Sequence, residues 1–187
     1  MDSIVSLYTT TNGRISRKQW WLGVLGLIVA SIVLSVILSL FGISAFGAMT
    51  AGIDPTNADP TAMSAALTDV MQKGAWAGLI MFLLLAYPGY CLSLKRRHDR
   101  DNTGRDLQIY MALNALVLLI QAVGLGYSTV DMGNGILMPT PSVLLSTVSI
   151  IIGIFGIYML VMLGFLRGTI GSNSYGPDPV LGTTATA

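Results

Sequence analysis

Hydrophobic residues along this chain are concentrated in four long runs, and polar residues collect between them. The runs cover residues 20–41, 76–94, 107–126 and 142–166, and none of them contains an acidic side chain, Lys or Arg. A helix needs about 20 apolar residues to cross the roughly 30 Å hydrocarbon core of a bilayer. The pattern therefore predicts an all-α integral membrane protein with four transmembrane helices.

The segment 42–75, between the first two runs, is the longest connection and has a helix signal of its own. Asp59 is a favourable N-cap residue, and Pro60 suits the first position of a helix. We expect a separate helix here, lying along the outer surface as a lid, a docking element or a spacer. Residues 1–179 should form a single four-helix membrane domain, followed by a disordered tail over 180–187.

Basic residues are distributed unevenly between the connections. Nine of the ten lie before the first run, between the second and third, or after the fourth, and Lys73 is the exception. Cytoplasmic flanks of membrane spans retain Lys and Arg, whereas translocated loops are depleted of them. Both termini, including Ser3 and Ala187, are therefore predicted to be cytoplasmic, with Asp54 and Asp131 on the outer side.

The composition argues against several classes of function. Charged residues make up 10% of the chain, the net charge is +1, and Cys91 and His98 are the only residues of their types. A nearly neutral chain has no field to attract nucleic acid, and one histidine falls short of a metal-binding set. Cys91 lies about two helical turns from His98, too far for a nucleophile and its base. We predict no nucleic-acid partner, no cofactor and no catalytic residue.

Two amides interrupt the third run. Asn114 and Gln121 are seven residues apart and share one helix face. An amide in hydrocarbon is costly without a partner, so both are predicted to face other helices. They either lock the bundle or line a polar cavity.

The stretch LKRRHDRDNTGRD, at 94–106, is the most highly charged part of the chain. Its Asp residues resemble the start of a calcium loop, but Tyr110 stands where the loop needs a bidentate Glu. Three interpretations remain open. The basic residues are an orientation signal, a patch that attracts acidic lipid, or part of an ion-pair network that fixes the shape of the loop.

Three polar stretches flank the runs: GRISRKQWW at 13–21, KRRHDRDNTGR at 95–105 and GTIGSNSYGPDP at 168–179. Together, in this order and spacing, they resemble domain-of-unknown-function family 805. The residues that match its motifs are Gly13, Arg14, Arg17, Trp20, Trp21, Arg96, His98, Asp99, Thr103, Gly104, Gly168, Gly171, Asn173, Tyr175, Gly176, Pro177, Asp178 and Pro179. The resemblance implies a four-helix protein of the bacterial inner membrane, and it implies no activity. The chain departs from the family pattern at Arg105 and Asp106, where aromatic residues are usual.

The charged residues of the three stretches are complementary, which predicts that they close a cytoplasmic cap. Asp99 should pair with Arg14 or Arg17, and Asp178 with Arg96 or Arg97. The complete candidate interaction cluster is Arg14, Arg17, Arg96, Arg97, His98, Asp99, Asn173, Tyr175 and Asp178.

The favoured function is a non-catalytic accessory or assembly protein whose cap binds a protein partner or an anionic lipid headgroup. Membrane lipids, a membrane-protein partner and a second copy of the chain are the expected partners. A small transporter or channel and a lipid-headgroup-modifying membrane enzyme are the alternatives.

Overall fold

The computed structural model describes residues 4–43, 59–133 and 135–180, and it is predominantly helical. Ser3, Asp54 and Ala187, on which the orientation prediction was placed, lie outside these residues, as does the tail beyond Val180. In chain order the elements are α1 (Ile4–Thr9), α2 (Arg17–Leu40), α3 (Pro60–His98), α4 (Arg105–Ala122), β1 (Tyr127–Asp131), β2 (Leu137–Pro141) and α5 (Val143–Leu160), the last continued by a π-helical turn (Val161–Phe165).

Three described helices are long and apolar enough to cross a membrane: α2, α3, and α5 together with its π-helical turn. Large apolar side chains along α2 are exposed, among them Leu25, Ile32 and Val36. Such exposure is expected where lipid, rather than water, is the solvent. The architecture is therefore that of a membrane protein with three candidate spans.

Helix α4, predicted as a further span over 107–126, does not join them. It has 18 residues and ends at Ala122, and its sequence includes Arg105, Asp106, Asn114 and Gln121. These charges and amides lower its hydropathy, and 18 residues give a helix of about 27 Å. A crossing by α4 is thus not confirmed by length and composition.

Helix α3 corrects the prediction for the outer segment. Its start is as expected, since Asp59 accepts hydrogen bonds from the Thr61 amide at 3.2 Å and the Thr61 hydroxyl at 2.5 Å. These two hydrogen bonds lower the pKa of Asp59. The helix then runs unbroken for 39 residues, through Pro88 to His98. The predicted surface helix and the second span are therefore one element, because no residue between them stops the helix.

The prediction of an all-α fold is wrong between α4 and α5. There β1 and β2 pair antiparallel, with Tyr127 opposite Pro141 and Asp131 opposite Leu137. Aromatic and β-branched residues in β1 favour a strand. Pro139 within β2 lacks an N–H group and disfavours a helix.

The chain divides into two compact units, each built from separate segments. The first comprises Met1–Ala30, Leu84–Ala112 and Gly153–Ala187, and the second comprises Ser31–Leu83 and Leu113–Ile152. The prediction of one domain over 1–179 stays a prediction.

In the second unit, α3 holds the hairpin and the end of α4. The Leu137 amide donates to the Ser64 hydroxyl at 2.8 Å, and the Gln72 amide group donates to the Ala122 carbonyl.

The first unit has a buried apolar core under its charged segments. The core residues are Ile15, Trp20, Leu92, Leu94, Leu107, Met159 and Leu163. Close packing depends on Gly164, because a Cβ atom there would lie 2.8 Å from the ring of Trp21 and 3.0 Å from that of Trp20. This core supports the candidate site.

Candidate functional site

The three polar stretches at 13–21, 95–105 and 168–179 meet in the first unit, and we call this assembly the cap. Six of its charged or titratable side chains are buried, none more than 8% exposed: Arg14, Lys95, Arg96, Arg97, His98 and Asp99. Charged side chains are rarely buried to this degree without partners. The hydrogen-bond and ion-pair partners of these side chains must therefore come from within the first unit.

Arg14 joins all three stretches. Its guanidinium group donates to Asp99 Oδ1 through Nε at 3.1 Å and through Nη2 at 2.9 Å. It also donates to the carbonyl groups of Thr169 at 2.8 Å, Gly171 at 2.7 Å and Gly176 at 3.1 Å. The predicted pairing of Asp99 with Arg14 or Arg17 is thus confirmed for Arg14, which acts as the hub of the cap.

Asp99 is engaged on all of its oxygen atoms. Oδ1 accepts from Arg14, and Oδ2 pairs with Arg96. The backbone carbonyl accepts from the Thr169 amide at 2.8 Å and the Thr169 hydroxyl at 3.0 Å. Gly168 permits this approach, because a Cβ atom at that position would overlap the Asp99 carboxylate.

Basic side chains and an indole cover the C-terminal end of the π-helical turn. Five consecutive carbonyl groups accept hydrogen bonds from other segments: Met162 from Arg100 at 3.4 Å, Leu163 from Arg96 at 2.8 Å, Gly164 from Trp21 at 3.1 Å, Phe165 from Arg17 at 3.0 Å, and Leu166 from Arg96. The last carbonyl groups of a helix lack intrahelical donors and carry partial negative charge. Cations are therefore well placed here.

Asp106, one of the two positions where the chain departs from the family pattern, has a structural role. Asp106 pairs with the buried Arg97 and accepts a hydrogen bond from the Tyr158 hydroxyl at 3.1 Å. Its carboxylate also accepts a hydrogen bond from the Leu107 amide at 2.9 Å, in the first turn of α4. Asp106 thus joins the start of α4 to α3 and α5.

His98 packs against the third polar stretch, at 168–179, through its ring and its backbone. The rings of His98 and Tyr175 lie 3.8 Å apart and 6° from parallel, and His98 Nδ1 is 3.3 Å from the Gly13 carbonyl oxygen. Asn173 donates to the His98 carbonyl at 2.8 Å and pairs with Gly176 in a tight turn. The third polar stretch is therefore folded as far as this turn.

Arg96 and Arg97 each pair with a carboxylate that the sequence analysis did not assign to them, and the predicted pairing of Asp178 with either arginine stays a prediction. Arg96 pairs with Asp99, and Arg97 pairs with Asp106. Asp178 accepts hydrogen bonds from the backbone amides of Gly171 at 3.1 Å and Val180 at 2.9 Å. The complementary charges of the three stretches favoured Asp178 as a partner, whereas Asp99 and Asp106 pair with the two arginines in the folded cap.

The cap contains a partly open cavity of about 250 Å³, which we call the cap cavity. It is lined by Ser16, Arg17, Arg96, Asp99, Arg167, Gly168, Thr169, Ile170, Asp178 and Val180. Arg17 and Arg167 are exposed, whereas Arg96 is buried. Three arginines from different segments thus line one recess.

Two sequence-predicted polar residues belong elsewhere. Asn114 and Gln121 lie in the second unit, and both are half-buried. Their predicted contact with other helices stays a prediction.

Sequence reasoning missed two contributors to the cap. The Lys95 ammonium group, 1% exposed as a residue, donates to the Ser6 carbonyl in α1. Thr169 binds the backbone of Asp99 through both its amide and its hydroxyl. The run of basic residues at the end of α3 was the available signal for Lys95, since cations favour helix C-termini. No comparable signal marked Thr169.

Comparison with known proteins leaves the function open. No curated protein and no solved structure matches the chain. The model of one family, described as a protein of unknown function, matches residues 8–177 and so covers all three stretches of the cap. The chain belongs to this family, DUF805.

Proposed function

We propose that this chain is a non-catalytic accessory or assembly protein of the bacterial inner membrane, with four spans and both termini in the cytoplasm. Its cap binds a negatively charged ligand at the cytoplasmic membrane surface. An anionic lipid headgroup is the favoured ligand, and an acidic segment of a membrane-protein partner is the alternative.

The observation that carries the proposal is the separation of charge between the two units. The described part of the first unit has nine basic and four acidic side chains, whereas that of the second has one basic and three acidic. Basic residues accumulate on the cytoplasmic side of membrane proteins. Each basic residue near the surface contributes about 1 kcal/mol of attraction to acidic lipid. The imbalance therefore supports both the orientation and the ligand.

The environment of the acidic groups supports a binding role over catalysis. Asp99 is held by two buried guanidinium groups, and Asp106 by Arg97 and Tyr158. A general base needs a lone pair directed at a substrate proton. The lone pairs of these carboxylates are directed at structural donors.

Cysteine labelling tests the orientation. Ser174 is exposed in the tail and Asp131 is exposed in the hairpin, whereas the native Cys91 is buried and should react slowly. With a membrane-impermeant thiol reagent on spheroplasts, Asp131→Cys should react at once and Ser174→Cys only after permeabilisation. The reverse order would overturn the proposed orientation.

Native mass spectrometry of the protein purified in mild detergent tests the ligand. Retained lipids should be enriched in acidic species relative to the source membrane, and neutralising the exposed Arg17, Lys18 and Arg167 together should remove the enrichment. A stably retained acidic protein without lipid enrichment would favour the partner alternative. Substrate flux in proteoliposomes, or turnover of headgroups, would favour a transporter, a channel or a lipid-modifying enzyme instead.

A further inference from the structure

Two carboxylates line the cap cavity, but more of its cationic side chains than of its anionic ones are available to contact a ligand. Asp99 is engaged by Arg14 and Arg96. Both oxygen atoms of Asp178 accept backbone amide hydrogen bonds. Both carboxylates are therefore already engaged by donors of the cap.

Two arginines at the cavity retain donors for a ligand. Arg17 uses Nη1 to bind the Phe165 carbonyl at 3.0 Å, which positions the side chain. Within the described part of the chain, no hydrogen bond or ion pair engages Arg167. Both side chains are exposed. A guanidinium group has five N–H donors, so most of those on Arg17 and all of those on Arg167 are available.

The start of α2 adds a second, independent preference for an anion at the same place. Ser16 and Gln19 form reciprocal hydrogen bonds of 2.8 and 3.3 Å that cap the helix, and Ser16 and Arg17 line the cavity. The first turn contains no acidic residue. It instead contains Arg17 and Lys18, which oppose the positive end of the helix dipole. A bound anion would relieve this unfavourable arrangement.

We propose that the cap cavity is a binding site for the phosphate group of a phosphate ester. The inference deepens the proposed function and rests on it, because it assigns the anionic ligand to one site. Arg17, Arg96 and Arg167 belong to three different segments of the chain, and all three line the cavity. A tetrahedral phosphate offers oxygen atoms in several directions, whereas a carboxylate offers two in one plane. The volume equals that of about eight liquid waters, enough for a phosphate with a small ester substituent.

Binding to the full-length protein in a neutral detergent tests the site. The probes are inorganic phosphate, followed by calorimetry, and short-chain phosphatidylglycerol in mixed micelles. Arg167→Gln and Arg17→Gln should each weaken binding about tenfold, the effect of losing one charge-assisted contact. Arg105→Gln is the matched control, because Arg105 is exposed in the same unit but does not line the cavity. It should change affinity less than twofold. Arg167 is exposed, so its variant should melt at the same temperature as the parent.

The two probes distinguish the sources of the phosphate. Binding of both, with the same dependence on Arg167, would support a site for which phosphate alone is sufficient. Binding of the lipid only, with that dependence, would support a headgroup site. Equal weakening of lipid binding by Arg105→Gln and Arg167→Gln would overturn the site and leave the proposed function standing on diffuse charge. Absence of acidic-lipid enrichment as well as of probe binding would overturn both.

Discussion

Replacing Arg14 with Gln removes the guanidinium group that connects the three stretches of the cap. Replacing Asp99 with Asn removes the buried carboxylate that faces it. The Arg14 and Asp99 side chains are only 1% and 5% exposed, and their ion pair measures 2.9 Å. Arg17→Gln is the matched control, because Arg17 is exposed and its hydrogen bond is to the Phe165 carbonyl.

The structure gives an order for the three effects. Arg14→Gln leaves Asp99 still paired with Arg96, so we expect a loss near the lower end of the range for broken buried pairs, about 3 kcal/mol. Asp99→Asn leaves both Arg14 and Arg96 without their carboxylate, so the loss should be near the upper end, about 5 kcal/mol. Arg17→Gln should cost about 0 to 1 kcal/mol, as is usual for exposed contacts.

Equilibrium unfolding in mixed micelles measures these losses, and the double variant measures the coupling. Arg14→Gln with Asp99→Asn should be no less stable than Asp99→Asn alone, which corresponds to a coupling energy of about 3 kcal/mol. If Asp99→Asn does not fold, Arg14→Gln against Arg17→Gln still tests the order. Equal, small and additive losses for Arg14 and Arg17 would refute the reasoning, because the cap would then be a solvated surface.

Three further sets of substitutions test other parts of the structure. Gly168→Ala should destabilise the protein by about 1 to 3 kcal/mol, because the added Cβ atom would force the Asp99 carboxylate to move. Gly153→Ala, where nothing lies within 4 Å of the added Cβ atom, should be neutral or stabilising. Equal effects of the two substitutions on stability would contradict the close approach of Asp99 to Gly168. Asn114→Leu and Gln121→Leu should each lower stability by about 0.6 kcal/mol if the amides bond across helices, and a gain in the unfolding assay would mean that they face lipid. Ser16→Ala should cost about 1 kcal/mol through loss of the α2 cap, with Ser16→Gly costing only a few tenths; a larger loss for glycine would argue against capping.

Much of the cap was predictable, and the reason is visible at particular residues. Arg14 and Asp99 were identified because each lies in a polar stretch beside an apolar run, and side chains of opposite charge in such stretches form charge-assisted hydrogen bonds. The pair of Arg97 with Asp106 was missed, and so was the pair of Arg96 with Asp99. Both errors have one cause: a residue list states which partners are available, whereas distance selects among them.

The sequence by itself determined the apolar runs, the start of α3 at Pro60 and the uneven distribution of basic residues. These features depend on composition and on contacts between near neighbours, which a sequence states directly. Only the tertiary structure decided that Arg96 binds the carbonyl groups at the end of the π-helical turn and that Gly168 admits the Asp99 carboxylate. It also decided that Arg17, Arg96 and Arg167 share one cavity. Backbone carbonyl groups are present at every residue, so sequence cannot mark which of them a distant guanidinium group will reach; packing of the helices brings those partners together.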